Sequence, residues 1–179
     1  FAETPALFCQ IAQPNTDYIA VPKVSSEKRR YIPMTIQTPD VIASDLLFVI
    51  PDAGLYEFGI LESNVHMAWM RTVAGRMKSD YRYSKDIVYN NFPWPAPTDA
   101  QKEIISKTAQ GILDARNLYP DSSLAVLYDE VTMPPELRKA HQENDKAVMT
   151  AYGFDWRHMA ESDCVAELMK MYQKMTSTT

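Results

Sequence analysis

Glycine is scarce in this chain of 179 residues: there are five, and each stands alone. A phosphate- or dinucleotide-binding turn needs grouped glycines where a strand runs into a helix, so that the backbone can close around the anion. No such group exists, and that kind of cofactor site is excluded. The two cysteines, Cys9 and Cys164, lie far apart in apolar settings and form no Cys-x-x-Cys pair. This argues against a zinc site or redox couple and for buried structural thiols in a reducing compartment. The three histidines, His66, His141 and His158, fall on separate segments, without the clustered ligands a hydrolytic metal requires. No apolar run approaches the ~20 residues that cross a bilayer. A basic-then-apolar leader is also missing, and the expected location is cytoplasmic. There is no Gly-x-Ser-x-Gly elbow. A Ser-His-Asp triad assembled only in space leaves no such trace, and stays open as a third reading.

Positive charge is in deficit as well. Eighteen Lys and Arg stand against 23 Asp and Glu, a formal charge of -5. Attraction to a polyanion must therefore be local, and the sequence supplies two places for it. Lys23, Lys28, Arg29 and Arg30 surround Ser25-Ser26-Glu27, while Arg71, Arg76, Lys78, Arg82 and Lys85 face a single acid, Asp80. Solvated loops are the plain reading of such clusters. The mixture favours nucleic acid, because cations and serines suit phosphate, whereas tyrosines and a Lys/Asp pair suit base edges.

The first 50 residues read as β. Short β-branched and aromatic runs at residues 7–12, 18–21, 31–36 and 46–50 are separated by Pro, Asn and Asp. Pro22 and Pro33 cannot donate ladder hydrogen bonds, so their strands are expected at edges or bulges. From Leu55 the period changes: Leu55, Phe58, Leu61, Val65, Trp69 and Val73 make one helical stripe, with Gly75 as its stop. His66, beside that stripe, reads as a satisfied core residue. A loop is expected over 76–85, then a strand at Ile87–Tyr89, then the break of Pro93, Pro95 and Pro97.

Beyond the prolines, Thr98 to Gln101 fits a capping box for a helix carrying Ile104/Ile105, Thr108/Ala109 and Ile112. Pro134-Pro135 opens a second helix, ending near Gly153. His141 and Asp145 share its face and read as a surface ion pair. A third helix starts near Ala160 with Cys164, Leu168, Met171 and Met175 on one side. The expected fold is α+β: a small, mostly antiparallel sheet packed with a helix over 1–97, then a helical bundle over 98–179. Starting at Phe1 in strand-like sequence, the chain reads as a piece of a longer polypeptide, its first domain cut on the N-terminal side.

One motif resembles a methyltransferase signature. Asn91-Phe92-Pro93-Trp94 is similar to the Asn-Pro-Pro-Tyr motif that holds a flipped base, but Phe92 replaces the first proline and no cofactor-binding glycine strand precedes it. It reads as packing at the domain junction.

Longer segments carry a more specific resemblance. Pro22 through Pro33, Leu55-Tyr56-Glu57-Phe58-Gly59-Ile60-Leu61-Glu62-Ser63, Ser79-Asp80-Tyr81-Arg82-Tyr83-Ser84 and Tyr89-Asn90-Asn91-Phe92-Pro93-Trp94-Pro95 resemble the target recognition domain of MmeI-like, type IIL DNA methyltransferases. The segments Leu127-Tyr128-Asp129, Met133 to His141 and Ala151-Tyr152-Gly153-Phe154 look like their C-terminal helical domain.

The resemblance implies a bacterial restriction-modification enzyme whose upstream part binds S-adenosylmethionine and methylates adenine N6, in some members behind a nuclease domain. This chain would read double-stranded DNA for that missing methyltransferase domain, with no catalytic residue, metal or cofactor of its own. Lys78 and Asp80 would contact one base pair. Ser25, Ser26, Lys28, Arg29, Arg30, Arg76, Arg82, Tyr83 and Ser84 would be backbone or groove contacts. The main alternative is a protein-interaction module whose basic loops are merely solvated, which would not bind duplex and would lack its steep salt dependence.

Overall fold

The computed structural model describes residues 13–177; the strand expected at residues 7–12, and Cys9, lie outside them. The elements in chain order are β1 (Tyr18–Pro22), β2 (Val24–Ser25), β3 (Thr35–Gln37), β4 (Leu47–Pro51), α1 (Leu55–Leu61), α2 (Asn64–Val73), β5 (Gly75–Met77) and β6 (Asp80–Arg82). A single π-helical turn, Lys85–Tyr89, leads into the proline segment, and then come α3 (Asp99–Asn117), α4 (Leu124–Leu127), α5 (Pro135–Ala151) and α6 (Glu161–Ser177). The strands form two three-stranded antiparallel sheets, β3-β1-β4 and β2-β6-β5. The α+β class is as expected.

Several local expectations change for identifiable reasons. The strand of Pro22 is central rather than an edge. It is tolerated because β3 pairs with β1 only as far as Ala20, and Pro22 is the last residue of the strand, opposite Leu47. Pro33 lies in no strand, since the third run is reduced to Thr35–Gln37. The single helix expected from Leu55 to Val73 is two. Ser63 caps α2 by accepting the His66 N–H at 3.3 Å, and Asp145 Oδ1 accepts the Asn64 N–H at 2.7 Å. Gly75 does not stop the helix, whose C-cap is Ala74, but begins β5. The strand expected at Ile87–Tyr89 is the π turn, capped by Ser84, whose Oγ accepts from Ile87 N at 3.4 Å.

Other readings stand. Thr98 and Gln101 form the reciprocal capping box of α3, with the Thr98 N–H donating to Gln101 Oε1 at 2.9 Å. Pro135 opens α5, and Gly153 past its end takes φ 73°, a left-handed conformation that glycine adopts without strain.

The hydrophobic core is continuous from Ile19 and Phe58 through Trp69 to Ile105, Val148 and Leu168. Gly59 permits the closest approach. A Cβ there would lie 2.7 Å from Ile105 Cγ2 and 3.1 Å from Asn144 Oδ1, so α1 packs backbone-close on α3. The Asn144 side-chain amide donates to the Gly59 carbonyl at 2.7 Å. Phe92 is buried, edge-on to His66 at 4.5 Å, and Tyr152 O–H donates to the Pro93 carbonyl at 2.9 Å. The segment around Asn91 therefore packs the junction, as its sequence suggested.

Candidate nucleic-acid interface

The segment 76–85, expected as a loop, contains a β-hairpin. Alternation explains it: Tyr81 and Tyr83 point inward, at 7% and 2% exposure, while Arg82 between them faces solvent. Met77 pairs with Asp80, so Lys78-Ser79 is a two-residue turn, with Lys78 at φ 58°. A non-glycine residue in that region is uncommon. Arg76 fixes the turn, donating from Nη1 to the Ser79 carbonyl at 2.8 Å while its guanidinium lies 3.9 Å from the Tyr81 ring centre. Lys78 and Ser79 are exposed at the tip, and Asp80 is half-buried at its base.

The two basic clusters meet on one sheet. β2 runs antiparallel to β6, pairing Val24 with Arg82 and Ser25 with Tyr81. Arg76 also reaches Glu27 at 3.8 Å across an exposed surface. The segment after β2 turns tightly, with Arg29 N–H donating to the Ser26 carbonyl at 3.1 Å and Lys28 N–H to Ser26 Oγ at 3.3 Å. This leaves Lys28 and Arg30 exposed and Arg29 half-buried. Among the described residues Lys28, Arg29, Lys78 and Arg82 have no acid within ion-pair distance.

Other expected contact residues are placed differently. Tyr83 is buried, its hydroxyl 2.9 Å from His66 Nε2, so its side chain is not part of the exposed surface. Burial raises the Tyr83 phenol and lowers His66 to about 3, so the pair is neutral. Ser25 is buried at 2% exposure, its hydroxyl without a partner. Ser84 serves as the cap of the π turn. Arg71, counted with the cations, is committed to a bidentate pair with Glu161 at 2.9 and 2.8 Å.

Behind this surface lies a polar network that the sequence did not reveal. His141 and Asp145, expected as a surface pair, are both buried, at 0% and 6% exposure. The reason is that α5 packs this face against α1, α2 and α3. Tyr31 O–H donates to Asp145 Oδ2 at 2.7 Å, and the Tyr31 ring stacks on His141 with centroids 4.0 Å apart. Arg116 donates to Glu62 Oε1 at 2.9 Å, to the Met34 carbonyl at 2.7 Å and to the Tyr128 hydroxyl. Since that hydroxyl accepts from Arg116, it gives its own proton to His141 Nε2, 2.8 Å away. Burial lowers His141 to about 3, consistent with a neutral ring that keeps its proton on Nδ1, toward the Glu62 carbonyl.

Burial also raises Glu62 to about 7, against the pull of Arg116. Arg116 is itself held up: burial lowers it, but Glu62 and Tyr128 together outweigh that. The available signal was spacing, since Arg116 falls on the same helical stripe as Ile105, Ala109 and Ile112.

A groove of about 540 Å³ beside Arg29 and Arg30 mixes Arg71 with Glu130 and Glu161. Cys164 on its wall has a thiol pushed up to about 12 by burial, which keeps it protonated near neutral pH. Among the described residues no histidine ring hydrogen-bonds a serine side chain, no three ligands gather for a metal, and no helix is long and apolar enough to cross a membrane.

Comparison with known proteins agrees along the whole length. DNA methyltransferase A of Bacillus subtilis (strain 168) is 42% identical over 175 residues, covering 98% of this chain and 20% of that protein. A solved structure of the type IIL restriction-modification enzyme MmeI in complex with DNA is 49% identical with a TM-score of 0.92, covering 98% of this chain and 23% of the other. The chain thus spans about a fifth of the length of these relatives. Because residues 1–96 match the model of the MmeI target recognition domain and residues 97–179 that of the MmeI C-terminal domain, the chain belongs to the MmeI family.

Proposed function

We propose that this chain is the sequence-reading module of a bacterial, cytoplasmic, site-specific adenine-N6 DNA methyltransferase of the restriction-modification kind. Residues 1–97 present the reading surface and residues 98–179 support it. The observation that carries the reading is the hairpin tip. Lys78 and Asp80 stand at one end of a sheet whose neighbouring strand leads directly into the cations at 28–30. A tip of that width fits a major groove, while the flanking cations meet phosphate. Lysine donates to guanine O6 and N7, and aspartate accepts from cytosine N4, so the pair suits one G·C base pair. Ser26, Lys28, Arg29, Arg30, Arg76 and Arg82 flank the tip as backbone or groove contacts. Catalysis and S-adenosylmethionine belong to the rest of the polypeptide, and calorimetric titration of this chain with S-adenosylmethionine should show no binding.

The deciding experiment exchanges donor for acceptor at both positions. Lys78→Glu with Asp80→Arg in the whole enzyme should move the preference from G·C to C·G, each base interaction removed weakening discrimination by roughly 1 to 3 kcal/mol. Genome-wide mapping of methylated sites reads the outcome, and an unchanged recognition sequence refutes the assignment. Replacing Arg29 and Arg30 by Ala should weaken binding to all sequences alike and flatten its salt dependence. A protein-interaction module would bind no duplex at any salt concentration.

A further inference from the structure

The segment that carries Lys28, Arg29 and Arg30 runs between β2 and β3, outside both sheets. Its tethers lead to helices. The Arg30 carbonyl accepts from Arg71 Nη1 at 3.1 Å, and Arg71 is in turn clamped by Glu161 of α6. Tyr31, 2% exposed, donates to Asp145 of α5 and stacks on His141 of the same helix. Met34 is gripped at both polar backbone atoms, its N–H by Glu62 at 2.6 Å and its carbonyl by Arg116 of α3 at 2.7 Å. Arg30 lies with its guanidinium 5.6 Å from the Tyr31 ring centre, so the exposed cation rests on the buried anchor. Asp145 holds a second element too, since its other oxygen accepts the first N–H of α2 at 2.7 Å.

We infer that Tyr31 and Asp145 are positioning residues for DNA binding: through their hydrogen bond the C-terminal helices set where the cations at 28–30 stand relative to the hairpin tip. This inference rests on the DNA-reading function proposed above. It gives the helical part a specific task, which is to supply the support that a sheet ladder does not give this segment. Phosphate contact is sensitive to such support, because each cation counts only when its nitrogen reaches a phosphate oxygen while the tip is seated in the groove.

The test uses the whole enzyme and a duplex containing its methylation site. Tyr31→Phe removes one hydroxyl from a buried ring, and Asp145→Asn keeps the size and one acceptor oxygen. For each variant, and for the two combined, the active fraction is counted by stoichiometric titration and the dissociation constant of that fraction is followed against salt. The slope of log affinity on log salt should become shallower by about 1 to 3, at ~0.9 for each phosphate that is no longer neutralised. The combined variant should match Tyr31→Phe in its slope, since without the Tyr31 hydroxyl residue 145 has nothing on this segment to hold. In an Arg29→Ala, Arg30→Ala background, Tyr31→Phe should leave the slope nearly unchanged.

A merely structural role would lower the active fraction and leave the slope of the active molecules as it was, which would overturn the inference. If Asp145→Asn does not fold, Tyr31→Phe in the two backgrounds decides alone. Failure of the unmodified enzyme to bind duplex would instead overturn the DNA-reading function itself, and the inference with it.

Discussion

Glutamine in place of Glu62 should change how stability depends on pH. Glu62 is fully buried with one oxygen on Arg116 and Met34, and the other, Oε2, lacks a hydrogen-bond partner. Burial lifts it from 4.5 to about 7. Between those values the unfolded chain has released the proton and the folded chain keeps it, so stability falls as pH rises, by about 3 kcal/mol in total. Asp145, raised by burial from 3.8 to about 6, acts in the same direction up to that pH.

His66 and His141, lowered by burial from 6.5 to about 3, act the other way. The folded rings stay neutral while the unfolded ones take up protons, so stability rises with pH from about 3 to 6.5. Two protons taken up on folding thus oppose two released between pH 4.5 and 6, and these four groups leave the natural protein nearly flat there. Glu62→Gln removes one of the two groups that take up protons on folding. Surface carboxylates contribute equally to both proteins and cancel in the difference. Urea denaturation at half-unit steps from pH 4.5 to 7.5 should show the two proteins close in stability at the acid end. The Gln protein should then gain roughly 3 kcal/mol on the natural one by the neutral end. A difference independent of pH would mean that Arg116 keeps Glu62 ionised throughout, and would refute the reasoning.

Two further substitutions separate packing from reading. Gly59→Ala places a methyl 2.7 Å from Ile105 Cγ2 and should destabilise by roughly 1 to 3 kcal/mol, measured by the same denaturation. Lys78→Gly should be neutral or stabilise by up to about 1 kcal/mol, because glycine holds φ 58° without strain though it loses more freedom on folding. In the whole enzyme it should nonetheless relax the preference for guanine, which a competition between G·C and C·G duplexes would detect.

The helices were legible because apolar residues recur at helical spacing and the caps of α3 and α5 sit beside their own helices in sequence. What stayed hidden depends on distant partners. The break between α1 and α2 is stabilised by Asp145, 81 residues from the N–H it accepts. The hairpin is hard to see in the sequence because its turn is Lys78-Ser79, without the Asn-Gly or Asp-Gly that ordinarily marks two-residue hairpins. Once the turn is placed, alternation assigns Tyr81 and Tyr83 inward, and Tyr83 no longer belongs to the exposed face that carries Arg82. His141 and Asp145 looked like a surface pair because spacing along one helix shows which residues share a face but not what that face meets.

The proposed function separates reading from support in this chain, and stability should register the separation. Lys78 is exposed and Asp80 half-buried, and neither makes an ion pair among the described residues. Arg116, Tyr31 and Asp145, by contrast, are buried and hydrogen-bonded to elements far away in sequence. Lys78→Glu with Asp80→Arg should therefore shift stability by no more than about 0.5 kcal/mol, the usual range for surface positions. Arg116→Met would leave the Glu62 carboxyl buried beside an apolar chain and the Met34 carbonyl without its donor. It should cost about 3 to 5 kcal/mol at neutral pH. Denaturation of the two variants side by side measures the contrast. A tip exchange costing more than about 1 kcal/mol would mean that the hairpin end contributes to holding the fold together, so that sequence preference could not be altered there without a loss of stability.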